Sequence, residues 1–194
     1  MKKTLFALIA SATLLMGGGA QAAVSNFDDL ATDGDFTSLS GISPYAGLSW
    51  SDDWYAGDNT IDGYGNAAHS GKNFAVNGFG SDAVSVSSAK AFDFAGAWFA
   101  APQGAADKAS WINISAYDAS NHLIGSTGQV AIGDGYVWVT ANFKNVSSLT
   151  VTRDNGWYVM DDFTAAAPVP EPGTPLMLGI GMLVLVVARR RSSR

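Results

Sequence analysis

The chain has 194 residues, 47% of them hydrophobic, a formal net charge of −6 and no cysteine. Six of its eleven basic residues lie at the two ends, so residues 23–164 hold five basic residues against sixteen aspartates, a net charge of −11. Such a body repels nucleic acid, whose binding needs basic patches that displace counterions from phosphate. Without cysteine there is no disulfide framework, thiolate metal site or cysteine nucleophile.

Residues 1–22 open with Lys2 and Lys3, continue through the apolar Leu5–Met16 and close on Gly17-Gly18-Gly19-Ala20-Gln21-Ala22. A basic start, a short apolar core and an A-x-A ending predict a secretory signal peptide, removed by signal peptidase after passage through the export machinery. The expected mature chain begins at Ala23.

Residues 23–164 suit one domain in length. Their first half is crowded with Gly, Asp, Ser and Asn, and the pattern predicts strands near Asn26–Leu30, Leu48–Trp50, Asn73–Val76, Ala83–Val86 and Ala91–Phe99, joined by long loops. Trp50-Ser51-Asp52-Asp53-Trp54-Tyr55, together with the distant Trp157, supplies aromatic faces beside carboxylates. Such rings stack on the apolar face of a sugar while the acids accept its hydroxyl protons. Trp50, Trp54, Tyr55 and Trp157 are therefore candidate ligand-binding residues, and the competing reading is that they plug the ends of the fold. Asp58-Asn59-Thr60-Ile61-Asp62-Gly63 imitates the start of an EF-hand loop, but His69 stands where the bidentate Glu belongs, which favours an ordinary turn.

In the second half the period is two. Residues 111–117 put Ile112, Ile114 and Ala116 on one face, and residues 136–143 put Val137, Val139, Ala141 and Phe143 on one face. Leu149–Val151 and Trp157–Met160 read as two more strands around the turn residues Arg153-Asp154-Asn155-Gly156. No window carries a helical stripe. The expected fold is all-β, a single antiparallel β-sandwich.

Residues 165–175 form a Pro-rich spacer, 176–188 an apolar run and 189–194 a basic tail. Arg189, Arg190 and Arg191 predict a stop to translocation, with the C-terminus inside. Thirteen apolar residues make only about 20 Å of helix against a hydrocarbon core of about 30 Å, which suits a temporary membrane anchor. The order Val169-Pro170-Glu171-Pro172-Gly173-Thr174, an apolar segment and a terminal Arg cluster resembles the PEP-CTERM sorting signal of Gram-negative bacteria. That resemblance implies recognition of Pro170, Glu171 and Pro172 by an exosortase, a membrane transpeptidase-like enzyme.

The body, with Phe27-Asp28-Asp29-Leu30 at one end and Tyr158-Val159-Met160-Asp161-Asp162-Phe163 at the other, is similar to jelly-roll domains of PEP-CTERM proteins and of carbohydrate-binding modules. The resemblance implies a jelly roll and a structural calcium held by Asp28, Asp29, Asp161 and Asp162. Strand alternation sends Asp161 and Asp162 to opposite faces, so at most one of them faces such a site squarely. Taken together, the sequence predicts a non-enzymatic exported protein, anchored in the inner membrane as a precursor. The resemblance implies that it then acts at the cell surface or in the extracellular matrix, in adhesion or biofilm association with extracellular polysaccharide. The rivals are a calcium-dependent carbohydrate-binding module built on Trp50–Tyr55 and a secreted glycoside-active enzyme.

Overall fold

A computed structural model describes residues 22–78 and 82–166. The signal-peptide residues before Ala22, the Pro170-Glu171-Pro172 motif, the apolar run 176–188 and Arg189–Arg191 lie outside them.

Eleven strands form the described body: β1 (Ala23–Ser25), β2 (Thr37–Ser38), β3 (Ser49–Trp50), β4 (Trp54–Asp58), β5 (Asn73–Asn77), β6 (Ala83–Ala100), β7 (Trp111–Tyr117), β8 (Leu123–Ser126), β9 (Val130–Ala131), β10 (Val137–Arg153) and β11 (Val159–Ala166). The only helical element among the described residues is one 3-10 turn at Ser40–Ile42. Paired strands run antiparallel in the order β2-β4-β5-β11-β6-β10-β7-β8, with β1 beside β11, β3 beside β6 and β9 beside β7. The chain is thus an all-β antiparallel sheet, consistent with a β-sandwich.

Two long strands explain how one sheet encloses a core. β6 and β10 have 18 and 17 residues and pair from Val137↔Phe99 to Thr152↔Ala83, with register shifts around Phe143 and Val146. Asn142 and Asn145 lie in these shifts at φ 52° and 55°, a conformation that Asn tolerates better than most residues. Each bulge adds a residue to one strand and bends it. Beyond the bend, β10 pairs with β7 and with the start of β6; before it, the end of β6 pairs with β11. Ile112, Ile114, Ala116, Val84, Val86, Leu149 and Val151 from the first half share one buried cluster with Trp54, Ala75, Ala97, Phe99, Val139 and Met160 from the second.

Rings run through this core: Phe27 to Trp50 (5.6 Å), Trp50 to Trp54 (5.6 Å), Trp54 to Tyr158 (6.0 Å) and Trp50 to Phe163 (5.5 Å) between centroids. Full burial of each large side chain contributes about 1.5–3 kcal/mol, and the edge-to-face contacts add to that.

The predicted alternation of residues 111–117 matches the burial of Ile112, Ile114 and Ala116. Three expectations change. Asn26–Leu30 is a turn, because Phe27 sits at φ 63° and Leu30 N–H closes on Phe27 O at 3.1 Å. Val137 is exposed while Val139, on the same face, is buried, since Val137 is the first residue of β10 and lies at the edge of the core. The segments predicted at 83–86 and 91–99 are one continuous strand.

A second apolar cluster lies on the opposite face of β5 and β11. The loop between β4 and β5 brings Tyr64 and Ala67 onto Phe74, Val76, Ala100 and Val159, with Tyr64 stacked on Phe74 at 5.4 Å. All five residues of β5 are therefore buried. Asp58 roots this loop: it accepts hydrogen bonds from Thr32 Oγ1 (2.5 Å), Gly34 N (2.9 Å), Thr60 N (2.8 Å) and the Thr60 hydroxyl. The EF-hand-like stretch is thus a turn organised by its first aspartate.

Candidate functional site

The candidate site is built where this loop ends on the outer face of the sheet. β11 bulges at Asp162, which has φ 50°, and its register with β6 shifts between Asp161 and Thr164. Simple alternation would separate the side chains of Asp161 and Asp162. The bulge instead turns both carboxylates to the same two residues of the loop, which corrects the expectation that only one could face a shared site. Asp161 Oδ2 accepts from His69 N (2.9 Å) and Ser70 N (2.8 Å), and its Oδ1 from Asp162 N (2.7 Å). Asp162 accepts from Ser70 Oγ at 2.7 Å and lies 2.7 Å from His69 Nδ1.

Asp161 is fully buried. Burial pushes its carboxyl up to about 7, helped by the charge of Asp162 and opposed by the three N–H donors. Tyr136 closes the other side by donating its hydroxyl to Ala67 O, and burial beside Asp161 and Asp162 holds that phenol well above its usual range.

Asp28 grips the next residues. Its Oδ1 accepts from Lys72 N (2.8 Å) and Asn73 N (3.0 Å). Gly71 stands against its Oδ2 at φ 58°, where a Cβ would come within 1.7 Å of that oxygen, so only glycine fits. Asp29 accepts from the Tyr45 hydroxyl at 2.7 Å.

The four aspartates proposed for calcium thus face hydrogen-bond donors. Coordination of calcium needs six to eight oxygens converging at about 2.4 Å. Among the described residues, no group of three or more His, Cys, Asp or Glu side chains converges in this way. As arranged, the residues do not fit a calcium ion.

The aromatic residues redistribute as well. Trp50 and Trp54 are 3% and 0% exposed and belong to the core, so their rings have no face for a ligand. Tyr55 and Trp157 are half-buried against the second cluster. Trp157 lines a cleft of about 290 Å³.

Among the half-buried rings on the outer face of the strands are Trp98 on β6 and Trp138 on β10. Trp98 lies directly opposite Asp161 on one side and Trp138 on the other, so the three side chains form one row across three strands. The Trp98 and Trp138 centroids are 5.6 Å apart at 64°. His69 stacks on Trp98 at 4.2 Å and 17°, with Tyr136 edge-on to His69 at 5.1 Å. Gly96 makes room for this row: at φ 153°, an added Cβ would lie 2.3 Å from Val139 O and 2.9 Å from Trp138 Cζ2. The Trp138 indole therefore rests over bare backbone.

Sequence reasoning missed this row. Its signal was present, since Tyr136, Trp138 and Thr140 occupy the non-core face of a strand whose core face was read correctly at Val139. An indole on the polar side of an amphipathic strand needs an explanation other than the core.

No curated protein matches the chain. Solved structures give distant likenesses of shape. The CBM22-1–CBM22-2 tandem domain of Paenibacillus barcinonensis Xyn10C is 14% identical with a TM-score of 0.43, over 80% of this chain and 48% of the tandem, about half its length. A DUF4465 family protein from Bacteroides caccae is 12% identical (TM-score 0.46; 77% of this chain, 87% of that one). The K1 cleaved adhesin domain of Lys-gingipain from Porphyromonas gingivalis is 13% identical (TM-score 0.45; 76% and 98%). The C-terminal end gives a defined match: residues 168–191 match the family model of the PEP-CTERM protein-sorting motif.

Proposed function

We propose that the chain is an exported precursor sorted by an exosortase through residues 168–191, and that its jelly-roll-like body binds extracellular polysaccharide through Trp98 and Trp138. The sorting motif supports the first half of this reading. It directs the protein to a membrane-anchored stage and then to the cell surface, where matrix polysaccharide is the abundant partner.

The observation that carries the second half is the paired, half-buried indoles on the outer face of the sheet. Trp138, held against Trp98 whose own ring is backed by His69, gives a sugar an apolar surface, and the rigidity of the stacked rings means little side-chain freedom is lost on binding. The exposed Thr140, paired with Gly96 beside them, supplies a hydroxyl at the same level. The reading is of a binder and not an enzyme. Asp161 and Asp162, the carboxylates beside the row, are committed to holding His69 and Ser70. No calcium is part of the proposal.

Affinity electrophoresis through gels containing the producing organism's own exopolysaccharide tests it. The wild-type chain is retarded, and Trp138→Ala migrates as in a gel without polysaccharide while keeping the wild-type melting temperature. Equal retardation of the two proteins would overturn the assignment of the row.

A further inference from the structure

The cleft lined by Trp157 lies on the other side of the β4–β5 loop from the indole row and takes no part in the proposed polysaccharide site. Phe36, Tyr64, Val76 and Trp157 line it, and Asp62 and Asp107 are exposed in its lining. Phe36 meets Tyr64 edge-on at 5.2 Å.

Its walls are stitched backbone to backbone. Gly104 N–H donates to Gly63 O at 3.0 Å, and a Cβ on Gly104 would lie 2.3 Å from Gly63 Cα. Trp157 N–H donates to Asp107 O at 3.0 Å, and a Cβ on Gly156 would lie 2.6 Å from the Asp107 carbonyl carbon. Three loops thus meet at contacts that only glycine permits, and the hollow is formed before any ligand arrives.

Charge identifies the occupant. Neither Asp62 nor Asp107 is in a salt bridge among the described residues, and no basic side chain lines the cleft. Lys108, next in sequence to Asp107, is paired instead with Asp134 at 2.8 Å. Arg153 lines a neighbouring hollow that shares Asp107 and Trp157 with the cleft, and is not itself in the cleft's lining. Aromatic walls with carboxylates beside them attract a cation through the ring quadrupoles and the acids together. The volume, about 290 Å³, is at the small end of ligand pockets, enough for one ring-sized group.

We infer that this cleft binds a protonated amino sugar, the unit of a partly deacetylated glycan, with its ammonium between Asp62 and Asp107 and its ring against Trp157. The site is separate from the Trp98–Trp138 row, so either stands if the other fails.

Isothermal titration of the full chain at pH 5.5 with glucosamine tetramer, and in parallel with its fully N-acetylated counterpart, tests the inference. The deacetylated tetramer binds about tenfold more tightly, and D62N/D107N abolishes the difference. Both aspartates are exposed and make no salt bridge among the described residues, so this variant keeps its fold. D52N/D82N removes the same charge from residues that do not line the cleft and retains the preference, as does Trp138→Ala. Equal affinity for the two tetramers, a preference surviving in D62N/D107N, or the same loss in D52N/D82N overturns the site, the last because it reduces the effect to overall acidity.

Discussion

Between pH 4 and pH 7 the stability of this protein should fall, and Asp161 should be the reason. Its carboxyl is wholly enclosed beneath His69 and Ser70, and burial lifts it from 3.8 to about 7. A carboxyl that holds its proton more tightly folded than unfolded contributes stability that is fully present below the unfolded value and is lost as pH rises through the folded one. The lift, in which the opposition of the three N–H donors is already contained, corresponds to at most about 4 kcal/mol, and about 3 kcal/mol of it is lost between about pH 4.5 and 7.5. The other displaced aspartates act elsewhere: Asp58 lies well below the usual range because Thr32 and Thr60 hydrogen-bond to it, Asp154 lies near 2, and Asp93 and Asp118 are lowered by hydrogen bonds from Lys144 and from the His122 backbone N–H, so all four weaken the fold only as pH drops below about 4. His69 and Asp162 also face Asp161 from the loop and from β11. Replacing Asp161 with Asn retains its size and removes its titration. Urea unfolding of the wild type at pH 4.5, 5.5, 6.5 and 7.5 should show a midpoint falling by about 1–2 M, given a slope of about 2 kcal/mol per M. Asp161→Asn should be less stable at pH 4.5 and nearly flat across the range. A flat wild-type profile, or the same slope in the variant, would refute the reasoning.

Other expectations follow from the same geometry. Gly71→Ala places a methyl group against Asp28 Oδ2 in a left-handed backbone, breaking two backbone hydrogen bonds, and should cost about 2–4 kcal/mol in chemical denaturation. Trp54→Ala should cost about 3–5 kcal/mol as a core deletion, whereas Trp54→Phe should fold and bind polysaccharide as wild type does, read by the same gel assay. Because Asp28, Asp29, Asp161 and Asp162 are already engaged by donors, adding calcium or EDTA should leave the melting temperature unchanged. A rise with calcium would mean that these carboxylates rearrange around the ion.

The second half of the body was legible because its strands are half-buried on one side, which imprints a period of two; Ile112, Ile114 and Ala116 carry that imprint without interruption. β10 shows where the period breaks down. Its bulges at Asn142 and Asn145 reset the phase, and no local pattern reveals how two such bulges let one strand serve both halves of the core. The first half was harder because β5 is covered on both faces and the loop before it is held by single aspartates. Asp28-Asp29 and Asp161-Asp162 were singled out as calcium ligands, and in the structure they accept hydrogen bonds. Asp28 and Asp161 hold the backbone of residues 69–73, more than forty residues from either, while Asp162 holds the side chains of His69 and Ser70 and Asp29 the Tyr45 hydroxyl, and none of these partners has a signature in sequence. Trp50 and Trp54 drew attention by their density, yet density among aromatics marks a core as readily as a ligand site. Trp98 and Trp138 lie forty residues apart in different strands, and only their pairing across β6 and β10 brings them together.

The most direct test of the account compares retention of four proteins on immobilised exopolysaccharide: the wild type, Trp138→Ala, Trp54→Phe and D62N/D107N. The account predicts that Trp138→Ala alone is lost from the matrix, with folding of all four verified by circular dichroism. Retention of Trp138→Ala at the wild-type level would contradict it and leave the outer face of the sheet without a ligand.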